Sequence, residues 1–219
     1  MRRPLALPTA AALAIGALFT FSPGIVGAAG RSTCDGNLSP GIYTHLVVPA
    51  GAVCTHLGGG QIAIRGGVFV GEGATLVLGS EDEPGTTSTI TGGIHAANAM
   101  NVQVHFATIS GGVRIKGGSG PVGGPFGISW NTIEDSHING GATIQGYNGF
   151  WMGFIRNHVA GSVHLNDNVL VDPDGNEYVT NVIRGGMQCS GNSPAPQTGD
   201  SGGGLNVVSG AKKGQCAGV

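Results

Sequence analysis

The residues best suited to bind a ligand recur at one position of a repeated phrase. Six segments share the order apolar-x-Gly-Gly-apolar-x-apolar, with Ser replacing the second Gly in one copy, and the residues between their last two apolar positions are Phe69, His95, Arg114, Thr143, His164 and Gln188. Side chains alternate across a strand, so these residues are predicted to point to solvent, about 4.8 Å apart in stacked copies. His95, Arg114 and His164 are candidates for binding an acidic sugar or another anion, although a solvated face of mixed residues is the favoured interpretation.

Two tryptophans form a second group of candidates. Trp130 and Trp151 lie 21 residues apart, close to the length of one repeat, and the segment from Tyr147 to Trp151 is rich in aromatic rings. Outward-facing indoles would form a platform for sugar rings, whereas inward-facing ones would fill a wide core. The pattern favours a core or half-buried position, and both residues are kept as ligand-binding candidates.

The charged residues do not form a familiar catalytic motif. Arg114-Ile-Lys116 matches a short phrase of polygalacturonases. Glycoside hydrolases also need two carboxylates across the scissile bond, and the acidic residues here are scattered over predicted loops. The seven histidines lack the spacing of a zinc site. We therefore predict no catalytic residues, no metal and no cofactor.

One acidic segment resembles a calcium loop. Asp172-Pro-Asp-Gly-Asn-Glu177 spaces oxygen atoms around a tight turn. It lacks the remaining ligands and the helical flanks of an EF-hand. An Asx-rich turn is the favoured interpretation, and calcium binding stays open.

The repeated phrase itself indicates a solenoid. Its copies begin at Ile64, Ile90, Ile109, Ile138, Val159 and Ile183, so they follow one another after 19 to 29 residues, about one coil each. The Gly-Gly pair is typical of a sharp corner, and the apolar positions would form an inward column when coils stack. We predict an all-β fold, a right-handed parallel β-helix of roughly seven coils. An antiparallel sandwich is the competing fold, but it does not explain a recurrent corner.

A second set of short alternating segments supplies a further strand to each coil. Its members are Leu76–Leu78, Val102–Val104 and Phe126–Ile128, and Leu46–Val48 marks an early coil. The start of the fourth copy is ambiguous, because Asn131-Thr-Ile133 resembles Asn157-His-Val159 and makes Ile133 an alternative to Ile138. Asparagines at such matched positions, including Asn181, are expected to stack into an amide ladder.

The cysteines and the N-terminus indicate the compartment. Residues 1–29 combine a basic start, an apolar run and small residues before the expected cleavage site, which predicts a signal peptide followed by a single β-helix domain over 30–219. Export favours disulfides over metal binding, and four cysteines allow three pairings. The local pairing, Cys34 with Cys54 and Cys189 with Cys216, is favoured because it staples one coil at either end of the array.

Both cysteine-bearing ends resemble a known group of proteins. Three segments are similar to uncharacterised secreted actinobacterial right-handed parallel β-helix repeat proteins. They are the opening Cys34-Asp-Gly-Asn-Leu-Ser-Pro-Gly-Ile-Tyr, the following Val48-Pro-Ala-Gly-Ala-Val-Cys54, and the closing Gly185-Gly-Met-Gln-Cys through Gly214-Gln-Cys216. The resemblance covers essentially the whole mature chain. It implies the fold and export, and it brings no catalytic residues.

These observations predict a secreted, non-catalytic protein, envelope-associated or extracellular, that binds a polysaccharide or another polymer or partner through its outer face. A net charge of −2 with 10% charged residues excludes a basic nucleic-acid footprint, and no membrane insertion is expected after signal cleavage. Two alternatives stay open. A small polysaccharide lyase or glycoside hydrolase would use Arg114, Lys116 and His95, and a self-assembling scaffold would form filaments or end-to-end oligomers.

Overall fold

The chain coils through three parallel sheets. The computed structural model describes residues 30–120, 130–199 and 201–219, so the predicted signal peptide lies outside the described residues. Within these ranges there are 26 short strands and one 3-10 helix, η1 (Gln215–Gly218). The chain visits sheets A, B and C in turn, and neighbouring strands within each sheet are parallel and come from successive coils.

Each sheet collects one strand from successive coils. Sheet A contains β1 (Arg31–Thr33), β4 (His45–Val48), β7 (Gly67–Val70), β10 (Gly93–Ala97), β13 (Val113–Lys116), β16 (Ala142–Gln145), β20 (Val163–Asn166), β24 (Met187–Ser190) and β26 (Lys212–Gly214). Sheet B contains β2 (Gly36–Asn37), β5 (Val53–His56), β8 (Thr75–Leu78), β11 (Asn101–His105), β14 (Trp130–Glu134), β18 (Trp151–Ile155) and β22 (Asn176–Val179). Sheet C contains β3 (Gly41–Tyr43), β6 (Gly60–Ile64), β9 (Thr86–Ile90), β12 (Ala107–Ile109), β15 (His137–Ile138), β19 (His158–Val159), β23 (Val182–Ile183) and β25 (Val207–Val208), and β17 (Asn148–Gly149) pairs separately with β21 (Val169–Leu170). The predicted all-β parallel β-helix of about seven coils is confirmed.

The apolar positions of the repeated phrase form the core. Its six first residues lie side by side in sheet C, from Ile64 beside Ile90 to Val159 beside Ile183. The fourth copy therefore begins at Ile138, and the alternative start at Ile133 is wrong because Ile133 pairs with Val104 in sheet B. All of these side chains are buried, so each coil adds a layer to one continuous column.

A buried asparagine ladder follows the same stacking. The Asn157 backbone N–H donates to Asn181 Oδ1 at 2.9 Å, and the Asn181 N–H donates to Asn206 Oδ1 at 3.0 Å. The predicted stack of Asn157 and Asn181 is confirmed. Asn131 does not belong to it, because its Oδ1 accepts a hydrogen bond from Val102 N in sheet B. Ser136 occupies the ladder position that was expected for Asn131, and its hydroxyl oxygen accepts a hydrogen bond from the Ala107 backbone N–H.

The glycine corners are needed mainly for close backbone approach. The first glycine of each corner lies over that of the preceding coil, and a Cβ built on Gly111 would overlap the Gly92 carbonyl. The second glycine adds a conformational requirement in some coils, as at Gly112 with a φ of 135°. Any side chain at the first position would therefore push two coils apart.

The array is stapled near both ends. Cys34 is bonded to Cys54 and Cys189 to Cys216, so the predicted local pairing is confirmed. The two bridges indicate that the protein folds in an oxidising compartment. None of the helices in the described ranges is long and apolar enough to cross a membrane.

Candidate functional site

The predicted outward column lies along sheet A. Neighbouring strands pair Phe69 with His95, His95 with Arg114, Arg114 with Thr143, Thr143 with His164 and His164 with Gln188. The geometric prediction is confirmed for all six residues. Four strand spacings separate Phe69 from His164, a length of about 19 Å. We call this surface, together with Lys116 beside Arg114, face A.

Face A contains a shallow groove that follows the column. A depression of about 500 Å³ is lined by Phe69, His95, Arg114 and Lys116 among others, and a second of about 380 Å³ continues from His95 and Arg114 to His164. The Phe69 and His95 rings stack with centroids 5.5 Å apart. Because both depressions share His95 and Arg114, the groove forms one path across the coils.

The two cations of this groove have no partner among the residues that the structure describes. Among the described residues, Arg114 and Lys116 make no ion pair and no side-chain hydrogen bond. The outward columns to which they belong contain no Asp or Glu, since their neighbours are His95, Thr143 and Gln145. A groove with aromatic walls and unneutralised positive charge suits an anionic ligand.

The predicted tryptophans lie on a different sheet. Trp130 pairs with Trp151 on the outward side of sheet B, with ring centroids 5.4 Å apart. Trp130 is 39% exposed, so the favoured core or half-buried position is wrong for it, whereas Trp151 is 9% exposed and is buried as expected. The five predicted ligand-binding residues therefore divide between two surfaces and do not form one site.

The tryptophans border a cleft that sequence reasoning missed. This cleft, which we call cleft B, has a volume of about 460 Å³ and is lined by Trp130, Trp151, His105, Glu134, Glu177 and the loop residues Glu81 and Asp82 among others. The Trp151 indole covers Gly153, where a Cβ would approach its Cζ3 to 2.7 Å. The side chain of Trp151 therefore forms part of the cleft floor, because the neighbouring strand position has no side chain of its own.

A shared guanidinium holds the carboxylates at one end of cleft B. Arg156 Nε donates to Asp135 Oδ1 at 2.7 Å, and its Nη2 donates to Glu134 Oε2 at 3.1 Å and to Glu81 Oε1 at 3.0 Å. Asp135 and Arg156 occupy equivalent corners after sheet B strands, both with positive φ. The expectation that the acidic residues stay scattered is wrong, because stacking of coils brings three of them onto one arginine.

Burial shifts the protonation of two residues in this cluster. Burial raises the pKa of the Glu134 carboxyl to about 7, although the hydrogen bond from the Thr132 hydroxyl and the charge of Arg156 favour the ionised form. Arg156 compensates only partly because Glu81 and Asp135 share it. Burial also lowers the pKa of the His105 imidazole, whose Nδ1 lies 3.9 Å from Glu134 Oε2. Near neutral pH the cleft therefore contains a carboxyl group poised to exchange a proton.

The cluster is better explained as an ion-pair network than as a metal centre. His105, Glu134 and Asp135 place one ligand atom each within 4.8 Å of the others. However, Arg156 donates to both carboxylates, so a cation would have to displace a bound guanidinium.

At the far side of cleft B, the favoured Asx turn is confirmed, since Asp174 N donates to Asp172 Oδ1 at 3.1 Å.

One further motif reaches the same cleft. Residues Gly199 to Gly203 have the order Gly-x-Ser-x-Gly, and Ser201 borders cleft B. Its backbone N–H donates to Glu177 Oε1 at 2.5 Å. In the described part of the chain its hydroxyl forms no hydrogen bond with a histidine, so the pairing of a nucleophile with a base is not assembled.

Comparison of the chain with family models, with curated proteins and with solved structures finds no match.

Proposed function

We propose that this is a secreted β-helix protein that binds an anionic polysaccharide along face A. The observation that carries the proposal is the pair Arg114 and Lys116, which have no partner among the described residues and lie in a groove walled by Phe69 and His95. Aromatic rings contact the apolar faces of sugars, and free cations attract carboxylate or sulfate groups. Export is part of the proposal, in agreement with the two disulfides and the N-terminal sequence.

The groove favours a polymer over a small anion. Its recognition groups are spread over about 19 Å and across five coils, from Phe69 to His164. A small anion could contact only neighbouring members of the column. An extended chain with repeated charges contacts several members at once, and each exposed ion contact contributes about 0.5–1 kcal/mol.

The test is binding of polygalacturonate by calorimetry, with uncharged dextran as the comparison ligand. We expect the variant Arg114→Ala/Lys116→Ala to weaken binding about 5- to 30-fold, which corresponds to about 1–2 kcal/mol. The matched control is Arg65→Ala/Arg184→Ala, which removes two exposed cations outside face A. Equal weakening by both double variants, or equal affinity for dextran and polygalacturonate, would contradict the proposal.

The hypothesis of an enzyme on this same face receives no support. A hydrolase or lyase that uses His95, Arg114 and Lys116 needs an acidic or basic partner within hydrogen-bond reach of them. None of the ion pairs between described residues involves these three side chains. Face A is accordingly proposed as a binding surface.

A further inference from the structure

Cleft B has an excess of negative charge that binding along face A does not explain. The carboxyl groups that border it belong to Glu81, Asp82, Glu134, Asp172 and Glu177. The guanidinium of Arg156 is already shared by three carboxylates. None of the ion pairs between described residues involves Asp82 or Asp172. The cleft therefore attracts a ligand with positive charge.

Two of these carboxylates lie where a ligand can reach them. Glu134 and Glu177 are 5% and 1% exposed, and other residues already donate hydrogen bonds to both of them. In contrast, Asp82 is exposed and Asp172 is half-buried. They belong to separate loops, between β8 and β9 and between β21 and β22. A ligand in the cleft can therefore meet two carboxylates at separate points.

The aromatic floor indicates what kind of cation fits. Trp130 keeps 39% of its surface exposed, and its ring centroid lies 5.4 Å from that of Trp151 and 5.8 Å from that of Phe150. Cations are attracted to the face of an indole, and the methylene groups of a flexible chain pack against the same surface. A hydrated metal ion has no apolar part to place there. The floor therefore favours an organic cation with an aliphatic stem.

A buried ring without a partner points to an N–H group on the ligand. His105 is 5% exposed and borders the cleft, and no hydrogen bond between described residues involves its ring. Its Nδ1 lies 3.9 Å from Glu134 Oε2, which is too long for a hydrogen bond. Burial lowers the pKa of His105, so near pH 7 the ring is neutral and one of its nitrogens is an acceptor. Buried polar groups are nearly always paired, so a donor on the ligand would supply the missing partner.

We propose that cleft B binds a linear aliphatic diamine or polyamine. Its methylene chain lies on the indole of Trp130, its ammonium groups pair with Asp82 and Asp172, and one ammonium N–H donates to His105. Two carboxylates in separate loops match a ligand with two or more charges. A quaternary ammonium has no N–H to offer His105 and fits less well. The volume of about 460 Å³ is in the range of small-molecule pockets.

The test is calorimetry of the purified protein with 1,6-diaminohexane and with three ligands that have the same carbon chain. Hexylamine has one charge fewer, hexamethonium keeps both charges without an N–H, and 1,6-hexanediol is uncharged. We expect 1,6-diaminohexane to bind about 2- to 5-fold more tightly than hexylamine, the effect of one exposed ion contact. It should also bind more tightly than hexamethonium and 1,6-hexanediol, and salt should weaken its binding.

Variants locate the binding in cleft B. Trp130→Ala should weaken binding of 1,6-diaminohexane about 3- to 30-fold, the range of a cation on an indole. Asp82→Asn/Asp172→Asn should remove the preference for 1,6-diaminohexane over hexylamine, and Asn at 172 keeps an oxygen for the turn. The matched control is Asp35→Asn/Glu72→Gln, which neutralises two exposed carboxylates outside the cleft and should bind like wild type.

The wild-type ligand series makes the test independent of how the variants fold. No detectable binding of 1,6-diaminohexane overturns the proposal, as does equal affinity for hexamethonium or 1,6-hexanediol. A Trp130→Ala variant that binds as tightly as wild type, or equal weakening by the two double variants, overturns it as well. None of these outcomes bears on anion binding by face A, because the two surfaces share no residue.

Discussion

Glu134 is expected to make the protein less stable as pH rises through the weakly acidic range. Burial raises its pKa from 4.5 to about 7, so the folded state holds this proton more tightly than the unfolded state does. The free energy of unfolding therefore decreases between about pH 4.5 and pH 7, where the folded state binds more protons. One pKa unit corresponds to about 1.4 kcal/mol, which gives a total decrease of about 3 kcal/mol.

The other charged groups around Glu134 define how this effect is isolated. His105 acts with the opposite sign, because its pKa is lowered and its contribution to stability grows as pH rises towards 6.5. Glu81, Asp135 and Arg156 complete the set of charges that face the carboxyl. The variant Glu134→Gln keeps the shape of the protonated side chain and removes its titration. The difference between the wild-type and variant curves therefore reports on this carboxyl.

The measurement is urea unfolding at intervals from pH 4.5 to pH 8, followed by circular dichroism and by tryptophan fluorescence, with Glu72→Gln as the control. We expect Glu134→Gln to gain stability relative to wild type by about 3 kcal/mol across this range, whereas Glu72→Gln tracks wild type. The result that refutes the reasoning is a difference that stays constant with pH or moves in favour of wild type. Either would mean that Arg156 keeps Glu134 ionised in the folded protein.

Three further predictions concern the stacking of coils. Asn181→Ala should lower the free energy of unfolding by about 4 kcal/mol in urea titrations, because it leaves the buried Asn157 N–H and Phe154 carbonyl without their side-chain partner. The control Asn139→Ala, at an exposed position, should change it by less than about 0.5 kcal/mol. Gly111→Ala should cost about 1–3 kcal/mol by the same assay, since its Cβ overlaps the coil below. Replacing Cys34 and Cys54 together by Ser should cost about 3 kcal/mol, and an unchanged melting temperature would contradict this.

The sequence predicted the surfaces that depend on a single repeated phrase. Side chains alternate between the core and the solvent along Val113-Arg-Ile115, and the Gly-Gly corner marks where each such strand begins. The sequence alone therefore predicted which residues of face A point outward and lie side by side. The local disulfides followed from the same reasoning. The repeat does not predict the function of face A. Phe69, His95 and Arg114 occupy equivalent positions of the repeat, but their side chains have different chemical properties.

Cleft B escaped prediction because one coil was aligned incorrectly. The third member of the sheet B series was expected at Phe126–Ile128, which lies outside the described residues. The strand that pairs with β11 is β14, and it carries Trp130 and Glu134. Aligning Trp130 with Trp151 over the whole strand would have placed Glu134 beside Ile155 and one residue from Arg156. The contribution of Glu81 could not be predicted, since it comes from a loop three coils before Arg156.

The separation of charge between the two surfaces argues that they serve different ligands. Face A exposes Arg114 and Lys116 without a carboxylate in their columns, whereas cleft B gathers several carboxylates around the single guanidinium of Arg156. Electrostatic effects extend over about 8–10 Å at physiological ionic strength, so a polyanion held by face A experiences repulsion when a segment approaches cleft B. One acidic chain therefore cannot fill both surfaces favourably. A protein anchored on an acidic polymer by face A would therefore keep cleft B free of that polymer.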